Sequence, residues 1–218
     1  MLRRSLAAGL FLIAALPAFA ATIVTVSGGT GSSSGVGEAY ATWTQTSAYS
    51  NVTITANLFS NGGTATGTAF LTTAVGPGAT SATQIATTPI SISNLTGTPI
   101  QLFTGLTLPA GTYYLVIYAS GIDLVWQGLD GTVTTTFGTG VTNSVTYAGN
   151  NTENGGYPPG SVFNAPSSYY LQFSATGTLS VPPPAPSVPA LTPTAMLAAA
   201  LLLLLTGLWL MRKPRRVA

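Results

Sequence analysis

The stretch NVTITANLF, residues 51–59, alternates between polar and apolar side chains from Asn51 to Leu58. A period of two residues is typical of a β-strand with one face buried and the other facing outward. The sequence therefore predicts a half-buried strand here. Its inward face carries Val52, Ile54, Ala56 and Leu58, and its outward face carries Thr53, Thr55 and Asn57.

Two further stretches extend this pattern. YYLVIYAS, residues 113–120, is apolar on both faces, which predicts a central strand that is covered on both sides. YYLQFSATGTLS, residues 169–180, alternates again and places Tyr169, Leu171, Phe173 and Ala175 inward. Shorter candidate strands begin at residues 22, 40, 64, 99, 123, 131 and 143.

The segments between these strands have the composition of turns. Asn-Gly-Gly at 61, Gly-Pro-Gly at 76 and Pro-Ala-Gly at 109 are examples. The Gly-rich stretch 27–37 is expected to be a flexible loop, and Asp130-Gly131 a turn. No part of residues 21–180 shows helical periodicity. The prediction is an all-β ectodomain over residues 21–180, a β-sandwich or jelly roll.

The N-terminus has the three parts of a secretory signal peptide. Arg3 and Arg4 precede an apolar run over residues 6–16, and Ala18-Phe19-Ala20 ends it with small residues. We therefore expect residues 1–20 to be a signal peptide that is cleaved between Ala20 and Ala21. The body that follows would then be exported.

The C-terminus predicts a membrane anchor. Residues 181–194 form a proline-rich linker, which favours extended backbone. Residues 195–211 are almost entirely apolar and are expected to form a single transmembrane helix, about 25 Å long at 1.5 Å per residue. By the positive-inside rule, the tail 212–218 should be cytoplasmic. Its basic residues are Arg212, Lys213, Arg215 and Arg216.

This order of proline motif, apolar helix and basic terminus resembles the sorting signals of the PEP-CTERM and IPTL-CTERM families of Gram-negative bacteria. Val188-Pro189-Ala190-Leu191 stands where the second family has Ile-Pro-Thr-Leu. The segment LTLPAGTYYLVIY, residues 106–118, also resembles surface domains that carry such tails. The resemblance implies processing near Pro189 by an exosortase, a membrane-embedded transpeptidase or protease, and transfer to the cell surface. A permanent inner-membrane anchor is the alternative.

Charge and composition exclude several function classes. Between Ser5 and Met211 the chain has four carboxylates and no basic side chain, so nucleic acid is not an expected partner. Cysteine and histidine are absent, which excludes zinc sites built on them and nucleophiles that need a histidine base. We expect no cofactor and no enzymatic activity.

Two functions remain open from the sequence. The first is a structural or interaction protein of the cell surface, extracellular matrix or biofilm. The second is a carbohydrate-binding or weakly hydrolytic module whose partner is an extracellular polysaccharide. It would use Asp123 and Asp130, brought together by a turn after Trp126. Trp43, Trp126 and the tyrosines would provide platforms on which sugar rings stack. The same two aspartates are also candidate Ca²⁺ ligands, although aspartate commonly occupies turns.

Overall fold

The computed structural model describes residues 20–35, 38–119, 121, 123–141, 147–150, 157–163, 170–180, 197, 200–206 and 208. Within these ranges, residues 20–180 are β-strands joined by turns and two short 3-10 turns, Ser81–Thr83 and Pro158–Gly160. The all-β prediction is confirmed. The strands are β1 Ala21–Gly35, β2 Glu38–Gln45, β3 Tyr49–Ser60, β4 Ala65–Thr72, β5 Gln84–Ile92, β6 Thr98–Leu108, β7 Gly111–Tyr118, β8 Leu124–Phe137, β9 Tyr147–Asn150, β10 Tyr170–Leu171 and β11 Phe173–Leu179.

The strands form two antiparallel sheets. The first sheet has the order β10-β8-β1-β11-β3-β6, and the start of β8 also pairs with the end of β3. The second sheet has the order β5-β4-β7-β2-β9. Only β4–β5 and β10–β11 are consecutive strands of one sheet, so nearly every connection carries the chain from one sheet to the other.

One hydrophobic core contains side chains from both sheets. Val52, Ile54, Ala56 and Leu58 of β3 are fully buried in it, as their alternation predicted. β7 is the middle strand of the second sheet, and its Leu115, Val116 and Ile117 are buried, which confirms a central strand covered on both faces. Leu171, Phe173 and Ala175 are buried as predicted. Tyr169 lies outside the described residues.

Four aromatic rings connect the two sheets through this core. Trp43 of β2 lies 5.6 Å from Tyr113 of β7 and 5.9 Å from Phe173 of β11, measured between ring centroids. Trp126 of β8 lies 6.4 Å from Phe173. Because Trp43 belongs to the second sheet and Phe173 to the first, these contacts hold the inner faces of the two sheets together.

Two local predictions were wrong. The Gly-rich stretch expected as a loop is strand as far as Gly35, because β1 pairs with β8 along Thr30–Gly35. The expected turn at Asp130-Gly131 lies inside β8, which continues to Phe137. The register between β1 and β8 shifts here, and Gly28, Gly29 and Gly131 have positive φ. The glycines therefore form a β-bulge and not a chain reversal.

Residues 181–218 form a second compact unit. Residues 200–206 of this unit are helical. Its described leucines are all exposed; they are Leu197, Leu201, Leu202, Leu203, Leu204, Leu205 and Leu208. None of the described helical residues belongs to a helix with the length and apolar character of a membrane span. Parts of the predicted span 195–211, including Ala195 and Met211, lie outside the described residues.

Candidate functional site

A short segment covers the outer face of the second sheet, the face turned away from the core. This cover segment, Tyr157–Phe163, contains the 3-10 turn Pro158–Gly160. The Tyr157 ring lies edge-on to Phe70 of β4 at 5.7 Å, and the Phe163 ring lies edge-on to Tyr40 of β2 at 4.8 Å. Tyr40 also contacts Tyr114 of β7 at 5.5 Å. An aromatic layer is thus enclosed between the sheet and the segment.

Glu38, the first residue of β2, is buried in this layer. It lies two residues before Tyr40 and therefore points to the same outer face. Its backbone is flanked by Tyr118 of β7 and Asn150 of β9. Only 2 % of Glu38 is exposed, and Ser161 of the cover segment is 6 % exposed. Neither carboxyl oxygen of Glu38 nor the Ser161 hydroxyl has a hydrogen-bond partner among the described residues.

Burial without a counter-charge changes the acidity of Glu38. Desolvation raises the pKa of its carboxyl from 4.5 to about 7, because the charged form loses its hydration. The nearby Ser161 hydroxyl acts in the opposite direction and lowers this pKa, although it makes no hydrogen bond of normal geometry with the carboxyl. No side chain between Ser5 and Met211 carries a positive charge that could pair with the carboxylate. Glu38 is therefore largely a neutral acid below neutral pH.

Gln45 is a buried polar residue on the inner face of the same strand, and its side-chain amide is hydrogen-bonded. Gln45 is 1 % exposed, and its amide oxygen accepts a hydrogen bond from the Trp43 indole at 3.1 Å. Its amide nitrogen contacts the carbonyl oxygens of Ser47, Leu108 and Pro109 at 3.0–3.1 Å. Gln45 is thus fully bonded, whereas the carboxyl oxygens of Glu38 have no hydrogen-bond partner in the part of the chain that the structure describes. The contrast identifies Glu38 as the unusual polar group of this strand.

The structure separates the two aspartates of the carbohydrate hypothesis. Asp123 directly precedes β8 and is exposed, whereas Asp130 lies inside β8. With about 3.3 Å per strand residue, Leu124 and Asp130 are about 20 Å apart. The prediction that a turn after Trp126 brings the two carboxylates together is therefore wrong. No group of three or more His, Cys, Asp or Glu side chains lies together in the part of the chain that the structure describes.

The tryptophans of that hypothesis are core residues. Trp43 and Trp126 are both 0 % exposed. The Trp126 indole N–H donates to the Gln172 carbonyl oxygen at 3.0 Å, so its polar edge is also occupied. A sugar ring cannot stack on a side chain that lacks an exposed face. Neither tryptophan can serve as the proposed platform in this conformation.

Of the predicted processing sites, the structure describes the one at the N-terminus. Ala20 and Ala21 are exposed, and Ala21 is the first residue of β1. The sorting motif Val188–Leu191 and the basic residues Arg212, Lys213, Arg215 and Arg216 lie outside the described residues. The exposure of Ala20 and Ala21 is compatible with the cleavage predicted between them.

Comparison with known proteins adds no assignment. The chain matches no protein family, no curated protein and no solved structure.

Sequence reasoning missed the Glu38 site. The strand predicted from residue 40 extends two residues upstream, and its alternation alone places Glu38 beside Tyr40. What the sequence does not show is that this outer face is covered. The cover segment lies more than a hundred residues further along the chain, and its Pro-Pro-Gly core has the composition of an ordinary turn.

Proposed function

We propose that this chain is an exported protein of the cell surface or extracellular matrix, sorted through its C-terminus, with a non-catalytic structural or interaction domain. The observation that carries the proposal is the division of the chain at Ser180. Before this point lies the β unit, which from residue 21 onward has four carboxylates and no basic side chain. After it lies a unit with exposed leucines and a basic end.

The β unit is proposed to be a sandwich of the jelly-roll type. Its two sheets contribute to a single core, and the aromatic contacts of Trp43 and Phe173 join them. Connections that pass from sheet to sheet, as at Pro109–Ala110 between β6 and β7, are typical of such folds. At that crossing the Tyr113 hydroxyl donates to the Pro109 carbonyl oxygen at 2.6 Å, which fixes the turn.

The second unit is proposed to carry a single transmembrane helix over residues 195–211. The described leucines are exposed all round the helix, which is unfavourable in water and favourable in hydrocarbon. Thr206 is the polar residue among residues 200–206, and its hydroxyl lies 2.8 Å from the Leu202 carbonyl oxygen and 2.9 Å from that of Leu203. Its hydrogen is therefore satisfied within the helix, as lipid requires.

A non-catalytic domain agrees with the chemistry of the body. Asp123, which directly precedes β8, and Asp130, inside β8, are far apart. Trp43 and Trp126 are fully buried and cannot contact a soluble ligand. Glu38 and Ser161 are enclosed, so neither meets a soluble substrate in this conformation. These observations favour a structural role over the carbohydrate-active alternative.

Processing by an exosortase-type enzyme near Pro189 is the remaining part of the proposal, and intact mass spectrometry tests it. The chain would be recovered from the surface and medium of a Gram-negative host that has an exosortase, and from a matched host that lacks the enzyme. We expect a mass that begins at Ala21 and ends near Pro189 in the first host only. A mass that continues to Ala218, confined to the inner membrane of both hosts, would contradict sorting and leave a permanent anchor.

A further inference from the structure

Within the described ranges, the environment of Glu38 supplies neither a hydrogen-bond donor nor a cation for a buried carboxylate. Its oxygens have no hydrogen-bond donor among the described residues, and the body of the chain contains no cation. A buried charge without a partner is strongly unfavourable. Glu38 must therefore remain protonated while it is covered, or gain access to water when it ionises.

The hydroxyl-bearing residues on the elements around Glu38 provide no counter-charge. Tyr40 lies on its own strand, Tyr118 and Tyr114 lie on β7, and Tyr157 and Ser161 lie on the cover segment. Burial raises the pKa of Tyr40 and Tyr157 above its ordinary value of 10.0, so both phenols keep their protons near neutral pH. Asn150, opposite Glu38 on β9, does not titrate. Glu38 is thus the one carboxylic acid among these residues.

The cover segment is the part of this enclosure that can move most easily. β2 and β7 are joined by eight consecutive paired residues, Glu38–Gln45 with Gly111–Tyr118. The cover segment has no strand pairing within the described residues. A hydrogen bond from Gly76 N–H to the Pro159 carbonyl oxygen at 2.7 Å and one between Tyr157 and Gln84 at 3.2 Å connect it to neighbouring loops and strands. Among the described residues, lifting it therefore breaks fewer backbone hydrogen bonds than separating the paired strands does.

We propose that Tyr157–Phe163 is a pH-gated flap, closed over the second sheet while Glu38 is neutral and released when Glu38 ionises. Release hydrates the carboxylate without disturbing the core, which lies on the opposite face of the sheet. It also exposes more of the Phe70 and Tyr40 rings, which Tyr157 and Phe163 of the flap contact. The proposal concerns the β unit alone and does not depend on how the C-terminus is processed.

Hydrogen–deuterium exchange of the full chain in detergent micelles tests the gate. The amides of Gly76 and Ser161 report on the flap, because Gly76 N–H donates to Pro159 and Ser161 N–H donates to the Pro158 carbonyl oxygen. After correction for intrinsic exchange, we expect their opening equilibrium to rise roughly fifty-fold between pH 5 and pH 8. Amides of β7, in the centre of the sheet, should show no comparable change over the same range.

Three variants distinguish the gate from a general effect of pH. Glu38→Gln should abolish the pH dependence at the flap, and Asp123→Asn, which removes an exposed carboxylate, should retain it. Ser161→Ala should move the completion of opening to higher pH, because the Ser161 hydroxyl favours the ionised carboxyl. An unchanged pH dependence in Glu38→Gln would overturn the proposal. So would an equal loss of protection in the flap and in β7 of the wild-type chain. If Glu38→Gln does not fold, the shift in Ser161→Ala decides the matter.

Discussion

Replacing each core tryptophan by phenylalanine should destabilise the β unit by different amounts. Trp43 and Trp126 are both fully buried, and each change removes similar apolar area, at a cost of about 1–2 kcal/mol. The two changes differ in what happens to the acceptor of the lost indole hydrogen bond. The Gln172 carbonyl oxygen loses the Trp126 donor but keeps the backbone N–H of Asn57 at 3.0 Å. The Gln45 amide oxygen loses the Trp43 indole, its one donor among the described residues.

The additional cost at Trp43 follows from this difference. A buried acceptor left without a donor costs about 1–3 kcal/mol. We therefore expect Trp43→Phe to lower the free energy of unfolding by at least about 1 kcal/mol more than Trp126→Phe does. Urea unfolding followed by far-ultraviolet circular dichroism measures both values without relying on tryptophan fluorescence. Phe137→Ala is the matched control, since Phe137 is 41 % exposed and its loss should cost less than either core change.

Two results would refute this reasoning. If Trp126→Phe and Trp43→Phe were equally destabilising, the bond between the Trp43 indole and Gln45 would contribute nothing measurable. If either change left stability unaltered and abolished binding on a glycan array, the tryptophan would be exposed in solution. The carbohydrate-binding hypothesis would then be restored.

Three further predictions concern acidity, the bulge and the helix. The pKa of Glu38 is about 7 when folded and 4.5 ordinarily, so the folded state binds the proton more tightly and stability falls as pH rises from 4.5 through 7. The loss is at most about 3 kcal/mol, and chemical denaturation across this range should show a flat profile in Glu38→Gln. Gly29→Ala should lower the free energy of unfolding by about 1–3 kcal/mol in thermal unfolding, since its φ is +70° and a Cβ would lie 2.5 Å from the Asp130 carbonyl oxygen. Gly62→Ala is the control and should cost less, because a Cβ there meets nothing within 4 Å. Leu203→Arg should weaken retention in carbonate-washed membranes, because an arginine at a helix centre costs about 3 kcal/mol of insertion free energy; unchanged retention would count against a membrane span.

The parts of the fold that could be predicted are those in which a local pattern is sufficient. β3 and β11 were identified from alternation, and the central position of β7 from its two apolar faces. In each case the burial of one residue constrains its second neighbour, so a few positions determine the strand. These predictions needed no information about partner strands.

The parts that could not be predicted depend on distant partners. The Gly- and Ser-rich end of β1 has the composition of a loop and becomes strand only because β8 lies beside it. Gly131 has a positive φ, which occurs in both turns and bulges. A bulge forms here because β1 continues beside β8, with a register shift at Gly28 and Gly29. The burial of Glu38 depends in the same way on a segment that joins the sheet from far along the chain.

The scarcity of charge explains why one glutamate can govern the behaviour of this domain. Most folded domains distribute basic and acidic side chains so that a buried carboxylate can find a cation or many donors. Here every basic residue is confined to the two ends of the chain, and the strands are solvated through threonine, serine and asparagine. Hydroxyl groups do not neutralise a carboxylate. Ionisation of Glu38 must therefore be accommodated by a change of conformation or opposed by a loss of stability, and comparing exchange in the flap with exchange in β7 of the wild-type chain separates these two responses.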